Sequence, residues 1–302
     1  MRIALDLLGG DHAPEAVIDG ALLAQDRGTA QVLLVGPVEL AERLLADRDA
    51  TGRLEVVPAN EVVTMSEDPA RALRSKPEAT VLIAARLVRD GRADAMVSVG
   101  PTGAALAAAV LTLGRCTNRP ALAVVIPTPQ GPLVLLDAGA TSDSRPAHLV
   151  QHAVLGSAYA QALGIQNPRV GLLNVGEEPG KGDQLRKLAF VALSEADISF
   201  VGNVEGHDVA LGGKAEVVVT DGFTGNVLLK GIEGATRRAG DTDLPVSGVL
   251  LGLDGLCVVG HGSSDAEQVA GCVAAAVQTH RAGLVGRIAS LLGADRRTAV
   301  GS

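Results

Sequence analysis

Along the chain, short unbroken apolar blocks alternate with longer stretches whose apolar positions recur at helical spacing, and glycine-rich polar turns separate the two. Residues 2–7, 31–35, 54–58, 93–99, 169–173, 198–201, 217–219 and 253–259 read as strands. Residues 14–25, 37–45, 77–89, 104–113, 146–163, 184–193 and 266–293 read as helices, with Pro14 near a first helical position supporting the earliest start. This alternation predicts parallel strands joined by crossover helices, an α/β fold. Residues 121–126 and 133–136, joined by the proline-rich 127–132, read instead as a hairpin, so the predicted sheet is mixed. No Gly-, Ser- or Pro-rich linker and no fixed-period repeat divides the chain, and residues 1–302 are expected to form one continuous α/β unit. Beyond Lys230 the pattern weakens: residues 231–245 hold about two helical turns and then read as a loop.

The polar turns carry the chemistry. The stretch 217–230 runs from three valines through Thr220-Asp221-Gly222-Phe223-Thr224-Gly225-Asn226 into an apolar run, which reads as buried strand, tight turn and helix start. Parallel α/β sheets bind ligands at such places, because the strand's carboxyl end and the helix's amino end aim N–H groups into one crevice. Similar turns fall at residues 9–12, 98–103, 137–143, 174–183, 203–208 and 260–265. Conformational need explains the glycines of any one turn. The set describes a crevice dense in backbone donors, suited to phosphate or another small anion. Lys181, between Gly180 and Gly182, either points a cation at such an anion or stays solvated on the surface. Asn226 either caps the helix or donates its amide to a substrate oxygen.

Composition narrows the field. With no Trp, one Tyr and three Phe, base stacking is not a recognition mode, and a net charge of −8 argues against nucleic-acid or anionic-membrane partners. Cys116, Cys257 and Cys272 are far apart in apolar runs without CxxC spacing, consistent with reduced thiols in the cytoplasm. Residues 1–6 do not read as a secretory leader, and the longest apolar run, 104–113, is roughly half a bilayer span. No GxGxxG or GxxxxGK[ST] is present, so no nucleotide cofactor is indicated, and GxSxG is absent too. His148 and His152 share a helix face without the glutamate of HExxH, so they read as ordinary helix residues and no metal is expected.

Asp6 with Gly9-Gly10-Asp11-His12-Ala13-Pro14, then Ser98-Val99-Gly100-Pro101-Thr102-Gly103-Ala104, Leu135-Leu136-Asp137-Ala138-Gly139-Ala140 and Gly171-Leu172-Leu173-Asn174-Val175-Gly176-Glu177-Glu178 form an ordered string. It continues through Gly202-Asn203-Val204-Glu205-Gly206, Asp221-Gly222-Phe223-Thr224-Gly225-Asn226 and His261-Gly262-Ser263-Ser264. This string resembles the successive motifs of the bacterial phosphate acyltransferase (PlsX) family of phospholipid synthesis, over nearly the whole chain. The resemblance implies a three-layer α/β/α sandwich related to phosphotransacetylases. It also implies a homodimer without cofactor that moves an acyl group from acyl carrier protein to inorganic phosphate.

Phosphate is already an anionic nucleophile, so such an enzyme needs anion positioning and oxyanion stabilisation more than a strong base. On this resemblance Lys181 binds phosphate and stabilises charge, Asn226 contacts the oxyanion or phosphate, and His12 and His261 are candidates for protonating the departing thiolate. The expected phosphate- and substrate-binding set is Asp6, Gly9, Gly10, Asp11, Gly100, Thr102, Gly103, Asp137, Gly139, Asn174, Gly176, Glu177, Asn203, Glu205, Asp221, Gly222, Thr224 and Gly225. Arg71, Arg74 and Lys76, Arg186 and Lys187, or Arg237 and Arg238 either meet the acidic carrier protein or form solvated helix faces. Three departures stand out: Pro101 where the family has Asn, Val259-Gly260 where it has Lys-Ser, and a short segment where it inserts a helical hairpin after Lys230. That hairpin is associated with dimer contacts and membrane attachment, so membrane docking is not carried over. Two other readings stay open: a phosphotransacylase acting on coenzyme A thioesters or in a specialised acyl pathway, and an inactive scaffold that binds acyl carrier protein.

Overall fold

The computed structural model describes residues 1–240 and 247–298. In chain order the first elements are β1 (Arg2–Asp6), α1 (Glu15–Asp26), β2 (Gln31–Gly36), α2 (Val38–Ala46), β3 (Glu55–Pro58), α3 (Pro69–Ser75), α4 (Thr80–Arg89), β4 (Ala95–Ser98) and α5 (Thr102–Leu113). Next come β5 (Ala121–Ile126), β6 (Leu133–Leu136), α6 (Pro146–Ala162), β7 (Val170–Leu173), α7 (Gln184–Ser194), β8 (Phe200–Val204), α8 (Gly206–Leu211), β9 (Val217–Val219) and α9 (Gly222–Arg238). The last are β10 (Ser247–Leu251), β11 (Leu256–Gly260), α10 (Ala266–Arg281) and α11 (Leu284–Thr298).

Most elements fall where the apolar pattern puts them; the short helices α3 and α8 are additions, the helix expected at 266–293 breaks into α10 and α11 at Gly283, whose φ of +66° leaves the helical region, and three further elements differ. The strand expected at 198–201 runs on through Gly202 and Asn203, because β8 carries one extra residue opposite Val170/Gly171 and Gly202 takes φ +96°. That bulge breaks the apolar run and hides the strand's second half. β10, unforeseen, pairs antiparallel with β11. The two helical turns expected after Lys230 are the end of α9, which continues to Arg238; the remainder of the expected loop falls largely on residues 241–246, outside the described residues.

The chain divides into two compact units, Met1–Arg115 with Val246–Arg281 and Cys116–Pro245 with Ala282–Ser302. No compositional linker marks the division. In the first unit the strand order is β3-β2-β1-β4-β11-β10, parallel except for β10. The chain leaves β1 toward β2 and β3 and returns past β1 to β4. Right-handed crossovers therefore place α1 and α2 on one face and α4 on the other. Accordingly α1 packs on α2 and α10, while α4 packs on α5.

The second unit repeats the logic with the order β5-β6-β9-β7-β8, parallel except for the β5–β6 hairpin. From β7 the chain steps outward to β8 and then back past β7 to β9, so α6 and α7 lie on the face opposite α8. In each unit the strands are layered between helices and buried: Ile3, Ala4 and Leu5 of β1 and Val217 and Val219 of β9 have no exposed surface. In each unit the reversal of strand order opens a crevice at the carboxyl ends, between β1 and β4 and between β7 and β9. Among the described residues no helix is long and apolar enough to cross a membrane.

Candidate active site

At the second unit's reversal point, the loop after β7 meets the start of α9. Asn174, at the end of β7, donates through Nδ2 to the carbonyl of Lys181 and to Asn203 Oδ1, both at 3.1 Å, and accepts from Val175 N–H at 2.8 Å. Asn203, brought alongside by the bulged β8, donates to the carbonyls of Glu178 and Glu177 at 3.0 and 3.4 Å. Two buried carboxamides thus pin the 174–183 loop from beneath. Gly182 completes the turn with φ +86°, and a Cβ there would overlap Asn174 Oδ1. The side chain of Lys181 is held out from this loop, 54% exposed, with Nζ 3.8 Å from a Glu178 carboxylate oxygen and its stem over Gly176.

The next helix, α7, is capped by Asp183, whose carboxylate accepts from Arg186 N–H at 2.8 Å. Arg186 then turns inward. Its guanidinium pairs with Asp221, donates to Thr220 and Thr224 hydroxyls at 3.0 and 2.9 Å, and reaches Asp183 at 2.9 Å. Asp221 in turn caps α9 by accepting from Thr224 N–H at 2.9 Å and Thr224 Oγ1 at 2.8 Å. Burial raises the pKa of Asp221, but the Thr224 bonds and the Arg186 charge outweigh it and hold the carboxyl below the usual aspartate range.

Asp137 ends β6 and is fully buried. Its carboxylate accepts four backbone N–H groups, from Leu122, Gly139, Ala140 and Thr141, at 2.7–3.1 Å. Burial pushes its pKa up, against those four bonds. The start of α9 rests on this loop: Gly222 N–H donates to Thr141 carbonyl at 2.8 Å, Asn226 Nδ2 donates to Ala138 carbonyl at 3.1 Å, and a Cβ on Gly225 would overlap the Asp137 carbonyl oxygen.

These contacts correct several expectations. Asp137, Asn174, Asn203 and Asp221 hold loops by buried bonds. The α9 amino terminus is not an open anion site, because Asp221 and Thr141 already take its first N–H groups. Asn226 does not cap the helix; Asp221 does. Glu205 sits at the start of α8, its backbone N–H donating to the Asp208 carboxylate at 2.8 Å and its own carboxylate 3.6 Å from His207 Nδ1, and Glu177 pairs with Lys214. Arg186 is not part of a basic surface. Arg71, Arg74, Arg237 and Arg238 are exposed, whereas Lys76 pairs with Glu67 at 2.7 Å.

In the first unit, Asp6 ends β1 beneath the glycine turn. Its carboxylate accepts the Ser98 hydroxyl at 2.6 Å, and Ser98 accepts Gly100 N–H at 3.1 Å. A Cβ on Gly9 would come within 2.7 Å of Asp6 Oδ2 and 2.8 Å of Gly100 N, so Gly9 lets the turns after β1 and β4 touch backbone to backbone. Burial raises the pKa of Asp6. It is buried under the turn. Asp11 N–H donates to Gly262 carbonyl at 2.7 Å, joining Gly10 and Asp11 to the turn after β11. There His261 Nδ1 lies 2.8 Å from Ser263 Oγ. His12 is exposed, and Thr102 and Gly103 open α5.

A cavity of about 450 Å³ sits at the second unit's reversal point. Asn174, Asp183, Arg186 and Thr224 make one side polar, and Leu173, Val175, Val227 and Leu228 make the other apolar. Its shape suits a small polar group carrying an apolar extension. Arg186 is the residue sequence reasoning missed as part of this centre. Its one local signal is the aspartate cap three positions earlier. Among the described residues no group of His, Cys, Asp or Glu is placed to hold a metal ion.

A family profile described as "Fatty acid synthesis protein" matches residues 1–242. The phosphate acyltransferase of Moorella thermoacetica is 40% identical over 334 residues, covering 99% of this chain and 98% of its own. That of Desulfitobacterium hafniense strain Y51 is 39% identical over 322 residues, 95% of this chain and 96% of its own. Among solved structures, a phosphotransacetylase from Streptococcus pyogenes superposes with a TM-score of 0.66 at 18% identity, over 93% of this chain and 94% of its own, which establishes a phosphotransacetylase-like fold.

Proposed function

Because the chain belongs to the phosphate acyltransferase family of fatty acid synthesis proteins, we propose that it transfers a fatty acyl group from acyl carrier protein to inorganic phosphate. A phosphate oxygen attacks the thioester carbonyl carbon, the new C–O bond forms, the C–S bond breaks, and the thiolate leaves with a proton. The product is an acyl phosphate for phospholipid synthesis. The observation that carries this reading is Lys181, an exposed ammonium on a loop that Asn174 and Asn203 fix from beneath. It meets the phosphate and the charge that develops on the carbonyl oxygen. Asn226, held against Ala138, offers its remaining amide N–H to the same oxygen. The enzyme works in the cytoplasm as a homodimer, as the family resemblance implies.

Trapping acyl phosphate with hydroxylamine tests the assignment. Lys181→Ala should fall by about 10²-fold in kcat/KM, with Lys181→Arg recovering part of the loss; undiminished turnover in a folded Ala variant removes Lys181 from the mechanism. The same assay with matched acyl carrier protein and coenzyme A thioesters identifies the donor. Equal or better use of the coenzyme A thioester replaces acyl carrier protein in this reading.

A further inference from the structure

Beside the polar cavity runs a second, larger hollow of about 800 Å³ that the mechanism above does not use. Ile126, Pro127 and Pro129 of the β5–β6 connection form one wall, and Val227, Leu228, Gly231, Ile232 and Ala235 of α9 form the other. Among the described residues no ionisable side chain lines it. Val227 and Leu228 line both hollows, so the apolar groove continues directly from the polar cavity of Arg186 and Thr224. Val227 is 58% exposed, apolar surface that the fold leaves uncovered at the junction.

Gly231 lies in the wall of the groove. A glycine inside a helix costs roughly 1 kcal/mol relative to alanine; at Gly222 and Gly225 of α9 a Cβ would strike Thr141 and Asp137, which accounts for the glycine, whereas at Gly234, outside the groove, a Cβ meets nothing within 4 Å. At Gly231 a Cβ meets nothing within 4 Å. No neighbour in the fold calls for glycine there, yet a larger side chain would project into the groove. A hollow without charge that opens onto a polar centre, where only a glycine stands in its wall at mid-helix, fits an unbranched hydrocarbon whose polar end lies toward that centre. We propose that this groove, along α9 from Val227 to Thr236, holds the hydrocarbon of the acyl donor and sets how long a chain the enzyme accepts. The inference rests on the acyl transfer proposed above.

Gly231→Leu fills the groove while raising helix propensity, so the full-length variant should fold; Gly231→Ala fills it less. The readout is the ratio of kcat/KM for hexadecanoyl over butanoyl thioester, measured by hydroxylamine trapping. Displacing a few buried methylenes should lower that ratio roughly ten- to a hundredfold in Gly231→Leu, with a smaller drop in Gly231→Ala. Gly286→Leu, on a helical glycine of α11 outside the groove, should leave the ratio unchanged. Binding of a fluorescent long-chain fatty acid should weaken in Gly231→Leu in step with the ratio, which gives a test independent of turnover. An unchanged ratio and unchanged probe binding overturn the groove while leaving the transfer reaction standing. Wild-type protein that binds the probe in the groove but makes no acyl hydroxamate refutes the reaction and keeps the groove. A Gly231→Leu change in oligomeric mass, with the ratio intact, makes the groove an interface between copies and overturns the proposal.

Discussion

Replacing Arg186 by alanine should be among the most damaging single changes in the second unit, and its size follows from the partners left behind. The guanidinium makes four hydrogen bonds, to Asp183, Thr220, Asp221 and Thr224, and its side chain is 9% exposed. Asp221, 7% exposed at its side chain, would keep the Thr224 bonds but lose its countercharge. Breaking a buried pair on one side typically costs about 3–5 kcal/mol, which lowers Tm by on the order of 10 °C in a chain of this size. Asp221→Ser keeps a capping oxygen and removes the charge. Arg186→Ala combined with Asp221→Ser should therefore be less damaging than the sum of the two single changes, by about 2 kcal/mol. Urea midpoints of the four proteins at neutral pH measure this. A pH series adds an independent sign: Asp221's depressed pKa gives stability that is present above the ordinary aspartate range and lost as pH falls through the folded value, and that slope should shrink in Arg186→Ala. An Arg186→Ala midpoint matching wild type, or strict additivity in the cycle, refutes the pairing as the element that fixes the site.

His152 and Gly225 give two further outcomes. His152 is wholly buried on α6, and burial lowers its pKa to about 4. The unfolded chain binds this proton first, so stability should decline as pH falls from about 6.5 toward 4, by roughly 3 kcal/mol in full; His152→Leu should flatten that part of the profile in a denaturation series, and an unchanged slope would locate the titration elsewhere. Gly225→Ala should lose about 3 kcal/mol or more because its methyl overlaps the Asp137 carbonyl, and a thermal midpoint equal to wild type would contradict that contact.

The apolar pattern finds the β5–β6 hairpin to the residue, since leucine- and valine-rich blocks bounded by prolines admit few other readings. It misses β10 because Ser247–Leu251 runs almost straight into the next apolar block, and only the antiparallel pairing with β11 separates them. Turn positions at strand ends are legible and their roles less so. Asp6, Asp137 and Asp221 sit where a ligand contact is expected, yet each turns its carboxylate inward. Nothing local distinguishes a carboxylate that meets substrate from one that accepts backbone amides. Arg186 is the sharpest case. Next to Lys187 on a helix it looks solvated, and its burial depends on Asp221, 35 positions further on.

The first unit is assembled from two stretches of chain, and this bears on how the protein is made. β4 takes its outer partner, β11, only after the whole of β5–β9 has been synthesised. Until then β4 presents an unpaired edge of buried residues, the kind of edge that recruits other strands. The sheet of the second unit, by contrast, closes from one uninterrupted stretch. Vectorial synthesis should complete the second unit's sheet first and leave the amino-terminal strands waiting. A nascent chain arrested after β9 is therefore expected to be protease-resistant over residues 121–219 and to depend on chaperones for residues 1–115.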